Sequence, residues 1–381
     1  MRIIVSATLG GGSAGTWYAV ETARRLAQRG HEIRYLSRPG RSALARAQAA
    51  GLSVVDDIDL EEKSPLRANR NLRRLTSLAR QFRPDVILAH GGEDHAFWGV
   101  VKALRARHVV LIRVRALDPK LPRRHMLSRW LHKRATDVIV TVNSRHYAAY
   151  QSRLKIPPDR LRIIEAGVEP ADFADVSDAA HAANAIELPA GKQIVVMVAR
   201  FAPIKGHRVL LTAAARIKRI RDDVHHLWIG YPQAYTAEAL HRRLVEANLT
   251  NDVTIIDRRL PALPALLAHC QLGVVASIGS ESLSRSLLEY LASGLPVAAT
   301  SVGGIPDLMA RGDFGRLMPP DNPEALAQAI LGLLGDTERR QACGRRGREY
   351  VLSHCTWDQR VDQWEELLVQ AVAARGGSAR S

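Results

Sequence analysis

Residues 279–306 read Gly-Ser-Glu-Ser-Leu-Ser-Arg-Ser-Leu-Leu-Glu-Tyr-Leu-Ala-Ser-Gly-Leu-Pro-Val-Ala-Ala-Thr-Ser-Val-Gly-Gly-Ile-Pro, and the fold is decided in this stretch. Leu283, Leu287, Leu288 and Leu291 recur at helical spacing, which predicts a helix. Gly294 stops it, Pro296 cannot continue it, and a strand is expected from about Val297. Glu281 falls in the loop that follows the apolar run Leu272–Ala276, and Glu289 falls on the helix two turns along. Both carboxylates accept hydrogen bonds only, which suits a hydroxyl-rich partner. Backbone N–H groups at the helix start favour an anion, which draws Ser284 and Arg285 into the same set. Carboxylates for sugar hydroxyls beside amides for phosphate describe a nucleotide-sugar site.

The spacing Glu281-x7-Glu289, followed by Ala-Ser-Gly-Leu-Pro-Val and Val-Gly-Gly-Ile-Pro, resembles the donor-site signature of glycosyltransferase family 4 (group 1). The resemblance extends over most of the chain: a Gly-rich first loop, a break near Ile163–Gly167, Arg200 with Lys205-Gly206, and a final helix. It implies the GT-B fold, meaning two Rossmann-like doubly wound α/β domains, an interdomain cleft and a C-terminal helix crossing back to the first domain. It further implies transfer with retention and without a metal. Arg200 and Lys205 would hold the donor diphosphate, Glu289 the ribose diol, and Glu281 hydroxyls of the transferred sugar. The family commonly places a histidine after the strand that corresponds to 109–113, whereas this chain has Ile112-Arg113-Val114-Arg115 there. Arg115 is the expected occupant of that position, pointing to a donor or acceptor that carries negative charge.

Composition narrows the class from another side. A chain of 381 residues with 46% hydrophobic and 24% charged residues is globular, with no signature of disorder. Cys270, Cys343 and Cys355 are too few and too scattered for a disulfide framework or a zinc site, which points to a reducing compartment. The N-terminus reads as a strand, and no apolar run approaches the ~20 residues of a transmembrane helix. The expected location is cytoplasmic, peripheral on the inner face of a membrane.

The net charge of +16 is unevenly distributed. Residues 1–165 hold 31 Lys and Arg against 14 Asp and Glu, while the remainder is nearly balanced at 23 against 24. Such asymmetry predicts an anionic partner for the first half. Arg67, Arg70, Arg73, Arg74 and Arg80 decorate one expected helix. Lys120, Arg123, Arg124, Arg129, Lys133 and Arg134 decorate another, together with Met126, Leu127, Trp130 and Leu131. These surfaces suit anionic lipid headgroups or lipopolysaccharide phosphates. Nucleic acid is disfavoured, since no recognised motif is present and aromatic residues make up only 5%.

Short β-like runs alternate with helical patterns in both halves, as in parallel α/β sheets. Strands are expected at 3–7, 32–37, 85–89, 109–113, 137–142 and 161–165, then at 193–199, 225–229, 253–256, 272–276 and 296–300. Helices are expected at 14–29, 66–82, 323–335, 338–353 and 357–373. The resulting division is an acceptor-binding domain over 1–168, a linker over 169–192, a donor-binding domain over 193–353, and a crossing helix with tail over 354–381.

Three loops remain. Gly10, Gly11 and Gly12 follow the first strand, and the resemblance implies that they let backbone approach the donor diphosphate. Read literally, Gly10, Gly12 and Gly15 form G-x-G-x-x-G, and Ser37-Arg38 at the end of the second strand would then favour NADP. An NADP-dependent oxidoreductase is therefore the alternative function, although it leaves 279–306 unexplained. His90, after the strand expected at 85–89, is a candidate for contact with acceptor or sugar hydroxyls, as are Glu93, Asp94 and His95. Asp57-Ile58-Asp59 reads as a surface acidic turn. The expected enzyme moves a sugar from a nucleotide-diphosphate sugar to a lipid-linked or lipopolysaccharide-type acceptor, with no cofactor. The base and sugar stay open.

Overall fold

The structure is a computed structural model, and it describes residues 1–8, 13–60, 64–116, 125–174, 186–258, 260, 263–279 and 281–378. The chain forms two compact α/β units: Met1–Ala166 with Asp358–Ser381, and Gly167–Trp357. The stretch expected as a linker belongs to the second unit. Its described part includes the single turn Pro170–Phe173, which is tied to the rest of that unit by Arg348 Nη2 donating to Phe173 O at 2.8 Å.

The first unit is built on strands β1 (Arg2–Ser6), β2 (Glu32–Leu36), β3 (Val54–Val55), β4 (Val86–Ala89), β5 (Val110–Arg115), β6 (Val138–Thr141) and β7 (Leu161–Ile163). They form one parallel sheet in the order β3-β2-β1-β4-β5-β6-β7. Both faces are covered by helices, so the central strands read as unbroken apolar runs: Ile3, Ile4, Val5 and Val86–Ala89 are fully buried. Ser13 caps the helix Ala14–Gln28 by accepting from Thr16 N at 3.2 Å, and Asn143 caps Ser144–Leu154 in the same way from His146 N at 2.9 Å. The final helix, Trp357–Ser378, joins this unit beyond its first residue. Trp364 and Leu368 are fully buried, and Arg29 binds Asp362 at 2.9 Å while His31 meets Glu365 at 3.0 Å.

The second unit repeats the plan with β8 (Gln193–Val198), β9 (Val224–Ile229), β10 (Val253–Ile256), β11 (Leu272–Val275), β12 (Val297–Thr300) and β13 (Gly315–Met318). The order is β10-β9-β8-β11-β12-β13, again parallel. Its core joins β8 and β11 to the helices His207–Lys218 and Pro323–Gly335 through Val195, Leu210, Ala213, Leu272, Leu326 and Ile330.

Two strands fall outside the sequence reading. β3 has only two residues, too few to show a period, and β13 is an edge strand of sequence Gly-Arg-Leu-Met without alternation. The second basic helix differs from its expected form. Met126–Trp130 is one short α-turn that runs into a π-turn, Leu131–Ala135, and Lys120, Arg123 and Arg124 lie outside the described residues. No helix among the described residues is long and apolar enough to cross a membrane.

Candidate functional site

In an open parallel sheet the strand order reverses at one point, and the loops leaving the carboxyl ends of the two strands there diverge to leave a ligand crevice. In the second unit that point lies between β8 and β11. The loop leaving β8 carries Arg200 and Lys205; the loop leaving β11 carries Ser277 and Glu281. The structure brings the two loops together. Ile278 N donates to Ile204 O at 2.9 Å, and Gly206, at φ +77°, lies against the Ala276 carbonyl where any Cβ would collide.

Lys205 Nζ forms an ion pair with Glu281, and Ser277 Oγ donates to the same carboxylate at 2.5 Å. Ser277 is fixed in turn, since Thr300 Oγ1 donates to its carbonyl at 2.6 Å. The backbone of Glu281 is held from the other side by Gly304 N, which donates to Glu281 O at 2.8 Å. Gly303, at φ +59°, packs so tightly on that carbonyl that no side chain fits. The Glu281 side chain is only 6% exposed, so Lys205 is the charge that makes its burial tolerable. Arg200 is half-buried, and no hydrogen bond holds its guanidinium among the described residues.

The helix that follows is Arg285–Ala292, capped by Ser284. The Ser284 side chain does not bond the helix backbone, and its buried Oγ has no partner among the described residues. Leu283 lies just before this helix rather than on it. Arg285 Nε donates to Glu289 Oε1 at 2.7 Å; the Arg285 side chain is 50% exposed and that of Glu289 13%. Burial pushes the Glu289 carboxyl above its ordinary range, and Arg285 opposes that shift. Tyr290, absent from the sequence reading, registers this helix against the sheet. Its ring packs on Gly273, and its hydroxyl accepts from Val198 N at 2.5 Å at the end of β8. A fully buried tyrosine beside a glycine in a neighbouring strand carries no sequence signal short of the contact itself.

In the first unit the reversal lies between β1 and β4, and there the glycines expected to approach a phosphate, Gly10, Gly11 and Gly12, lie outside the described residues. His90 follows β4, and its backbone N extends the sheet by donating to Ser6 O at 2.8 Å. Its ring is 4% exposed, and neither ring nitrogen has a hydrogen-bond partner among the described residues. Burial, with Arg113 nearby, depresses its pKa to about 3, so the ring is neutral at physiological pH. Arg115 ends β5, half-buried, in register with Thr141 of β6.

Asp94 and His95, expected to meet acceptor or sugar hydroxyls, are instead buried and bonded within the first unit. Asp94 is fully buried and accepts from Ser6 Oγ at 2.7 Å, Thr8 N at 3.0 Å and Gly91 N at 2.6 Å, joining the two loops at the reversal. His95 Nε2 lies 2.6 Å from Thr136 Oγ1, and its ring meets His132 edge-on at 4.7 Å. Arg113, two residues before Arg115, is 3% exposed and donates to the carbonyls of Ala89 and Gly91. It holds the His90 loop from below.

Comparison with known proteins agrees with this geometry. Residues 15–172 match the family model described as Glycosyltransferase Family 4, and residues 192–336 match that of Glycosyl transferases group 1. The chain belongs to glycosyltransferase family 4 (group 1). It is 28% identical over 254 residues to a D-inositol 3-phosphate glycosyltransferase of Corynebacterium efficiens, covering 64% of this chain and 59% of that protein. A protein of the same name from Mycolicibacterium paratuberculosis is 28% identical over 386 residues, covering 93% and 85%. For the Corynebacterium efficiens, Corynebacterium glutamicum and Segniliparus rotundus relatives, the match spans about half to three-fifths of the relative's length. In structure, the chain superposes on Anabaena Alr3699/HepE, solved in complex with UDP, with a TM-score of 0.85 at 18% identity, over 97% of this chain and 100% of that one. That likeness establishes the GT-B architecture. The oxidoreductase alternative loses its footing: both halves match glycosyltransferase models, and Arg38, its phosphate reader, is engaged by Asp59 Oδ2 at 3.0 Å.

Proposed function

We propose that this protein transfers a sugar from a nucleotide-diphosphate sugar to an anionic acceptor, with the donor held by the second unit. The observation that carries this reading is the Lys205–Glu281 pair, fixed where the loops of β8 and β11 meet, with Arg200 left unbonded on the same loop. Arg200 and Lys205 supply positive charge to the diphosphate, which grows more negative as the bond to the anomeric carbon breaks. The Arg285–Ala292 N-terminus adds backbone donors, with Ser284 Oγ ready to bond a phosphate oxygen. Glu289 accepts from the ribose diol and Glu281 from hydroxyls of the sugar.

Bond making and breaking balance without a protein nucleophile. The bond between the anomeric carbon and the donor phosphate oxygen breaks, the acceptor oxygen bonds that carbon on the same face, and the acceptor proton passes to the departing phosphate. The configuration is retained, and no metal is required because Arg200 and Lys205 carry the leaving-group charge. His90, neutral and with both nitrogens unpartnered, offers a donor and an acceptor to hydroxyls, and Arg115 meets the acceptor's negative charge.

For the acceptor, the first reading is a lipid-linked or lipopolysaccharide-type glycan met at a membrane surface. It is supported by Met126, Leu127 and Trp130, which are 87%, 64% and 36% exposed beside Arg129, Lys133 and Arg134. The second reading is an inositol phosphate, favoured by the names of the relatives. The deciding experiment screens UDP-, GDP- and ADP-sugars for binding, with NADP as control, and then offers the bound donor either acceptor class. Glu289→Ala should weaken the bound donor roughly tenfold to hundredfold, the cost of losing charged hydrogen bonds of about 1.5–3 kcal/mol. NADP binding with no nucleotide-sugar binding would overturn the proposal.

A further inference from the structure

The opposite edge of the first sheet, where the strands begin, holds a second feature that the transfer reaction does not use. Two cavities of about 770 and 540 Å³ open there and share Asp85, Arg105 and His108. Arg2, Arg80 and Arg83 complete the smaller one. No ion pair or side-chain hydrogen bond engages Arg2, Arg80, Arg83 or Arg105 among the described residues, whereas Arg375, in the larger cavity, is bonded to Asp137 at 3.0 Å. The one carboxylate in either lining is Asp85, whose Oδ2 already accepts from the Arg2 backbone N at 2.7 Å.

Arginines here have an ordinary explanation, since Arg80 and Arg105 sit in the last turns of the helices Pro65–Phe82 and Gly92–Arg105. A helix end carries about half a negative charge, so two ends amount to roughly one. Four free guanidiniums outweigh that charge and Asp85 combined, and the surplus points into concave space. Guanidinium forks match phosphate oxygens in bidentate fashion. A cavity of 540 Å³ is the size that encloses a compact molecule, unlike a flat bilayer contact.

We propose that this groove binds a compact, multiply phosphorylated small molecule, independently of the donor site on the second unit. The test titrates inorganic tripolyphosphate into the full chain by calorimetry at low and moderate salt. It compares the wild type with the double variant Arg83→Gln, Arg105→Gln, both exposed positions. The wild type should bind, more weakly as salt rises, and the double variant should bind at least tenfold more weakly with an unchanged melting temperature. A saturating nucleotide-sugar donor should leave the titration unaltered. Absence of binding by the wild type, equal binding by the variant, or displacement by the donor would each overturn the proposal. So would a variant that melts earlier yet binds as well, which would reduce the arginines to helix-end charges. A parallel arm with phosphatidylglycerol vesicles identifies the source: vesicle binding lost in the variant without any tripolyphosphate binding would assign the groove to lipid and also overturn it.

Discussion

Arg200 is half-buried and unbonded among the described residues, whereas Lys205, five positions on, is paired with a carboxylate that is 6% exposed. The two therefore separate binding from folding. Lys205→Ala leaves Glu281 buried with only Ser277 as partner, and should cost roughly 1–3 kcal/mol of stability as well as activity. Arg200→Ala should leave stability within about 0.5 kcal/mol, as for a side chain with no intramolecular partner, yet lower kcat more than it raises donor KM. Denaturant melts alongside steady-state kinetics check both. An Arg200→Ala enzyme with full kcat would remove Arg200 from the leaving-group site. The helix that carries Arg285 and Glu289, with Ser284 at its start, was legible because helical spacing marks it locally. The Lys205–Glu281 pair was not, since 76 residues separate its members.

At the scale of loops and strands, the candidate site rests on glycines that admit backbone rather than on the charged residues they position. Gly303 is at φ +59° with the Glu281 carbonyl where its Cβ would sit. Gly303→Ala carries both a strained backbone, of order 1–3 kcal/mol, and a collision that displaces Glu281. The expected outcome is lower stability with donor affinity reduced further than in a variant of similar stability elsewhere in the second unit, read by calorimetry after matching the fraction folded. Donor affinity that merely tracks the folded fraction would mean the Gly303 turn does not position Glu281. In sequence Val-Gly-Gly-Ile-Pro stood only as part of the family signature, and the packing shows that Gly303 presses on the carbonyl of residue 281. In the first unit, Asp94 is the corresponding fastener of the two loops at the reversal. In sequence it stood only as a hydroxyl contact beside His90, because nothing local marks its bonds to Ser6 and Thr8, more than 80 residues away.

Over the whole molecule, buried histidines dominate the acid response. His90 is depressed to about 3, His132, His207 and His226 to about 4, and His95 and His225 are lowered as well, all chiefly by burial. Above about pH 6.5 these rings are neutral in both folded and unfolded chains and contribute nothing. As pH falls from there towards 3, the unfolded chain gains protons that the folded chain refuses, and stability declines. Asp94 and Glu289, whose carboxyls burial raises, act with the opposite sign, but they are two groups against six histidines. Thermal melts at pH 7.5 and 5.0 should show a lower melting temperature at pH 5.0, and an equal or higher one would contradict neutral burial of the histidines. The one-sided charge predicts a second global property. Each Lys or Arg near an anionic bilayer is worth about 1 kcal/mol within a Debye length of about 8 Å. The first unit should sediment with phosphatidylglycerol vesicles at low salt and release towards about 0.5 M. Met126→Ser with Leu127→Ser should reduce that binding; equal binding to neutral vesicles would sink the electrostatic account.

Local pattern was enough for what depends on near neighbours: alternating apolar runs and amphipathic helices give parallel α/β sheets in both halves, and 279–306 gives the helix that carries Glu289, while the doubly wound pairing of domains came from the family resemblance. Charge counting was likewise enough to assign the basic surplus to the first half. Contacts between residues far apart in sequence needed the folded chain. Strand order brings the loops of β8 and β11 side by side, buries Asp94 between β1 and β4, and aims Tyr290 at the end of β8. Each of these contacts is set by sheet topology and close packing, neither of which leaves a period or a motif at the residues it brings together. The unpaired arginines at the opposite edge are the same case: in sequence they are a surplus of charge, and only the sheet gathers them around a cavity.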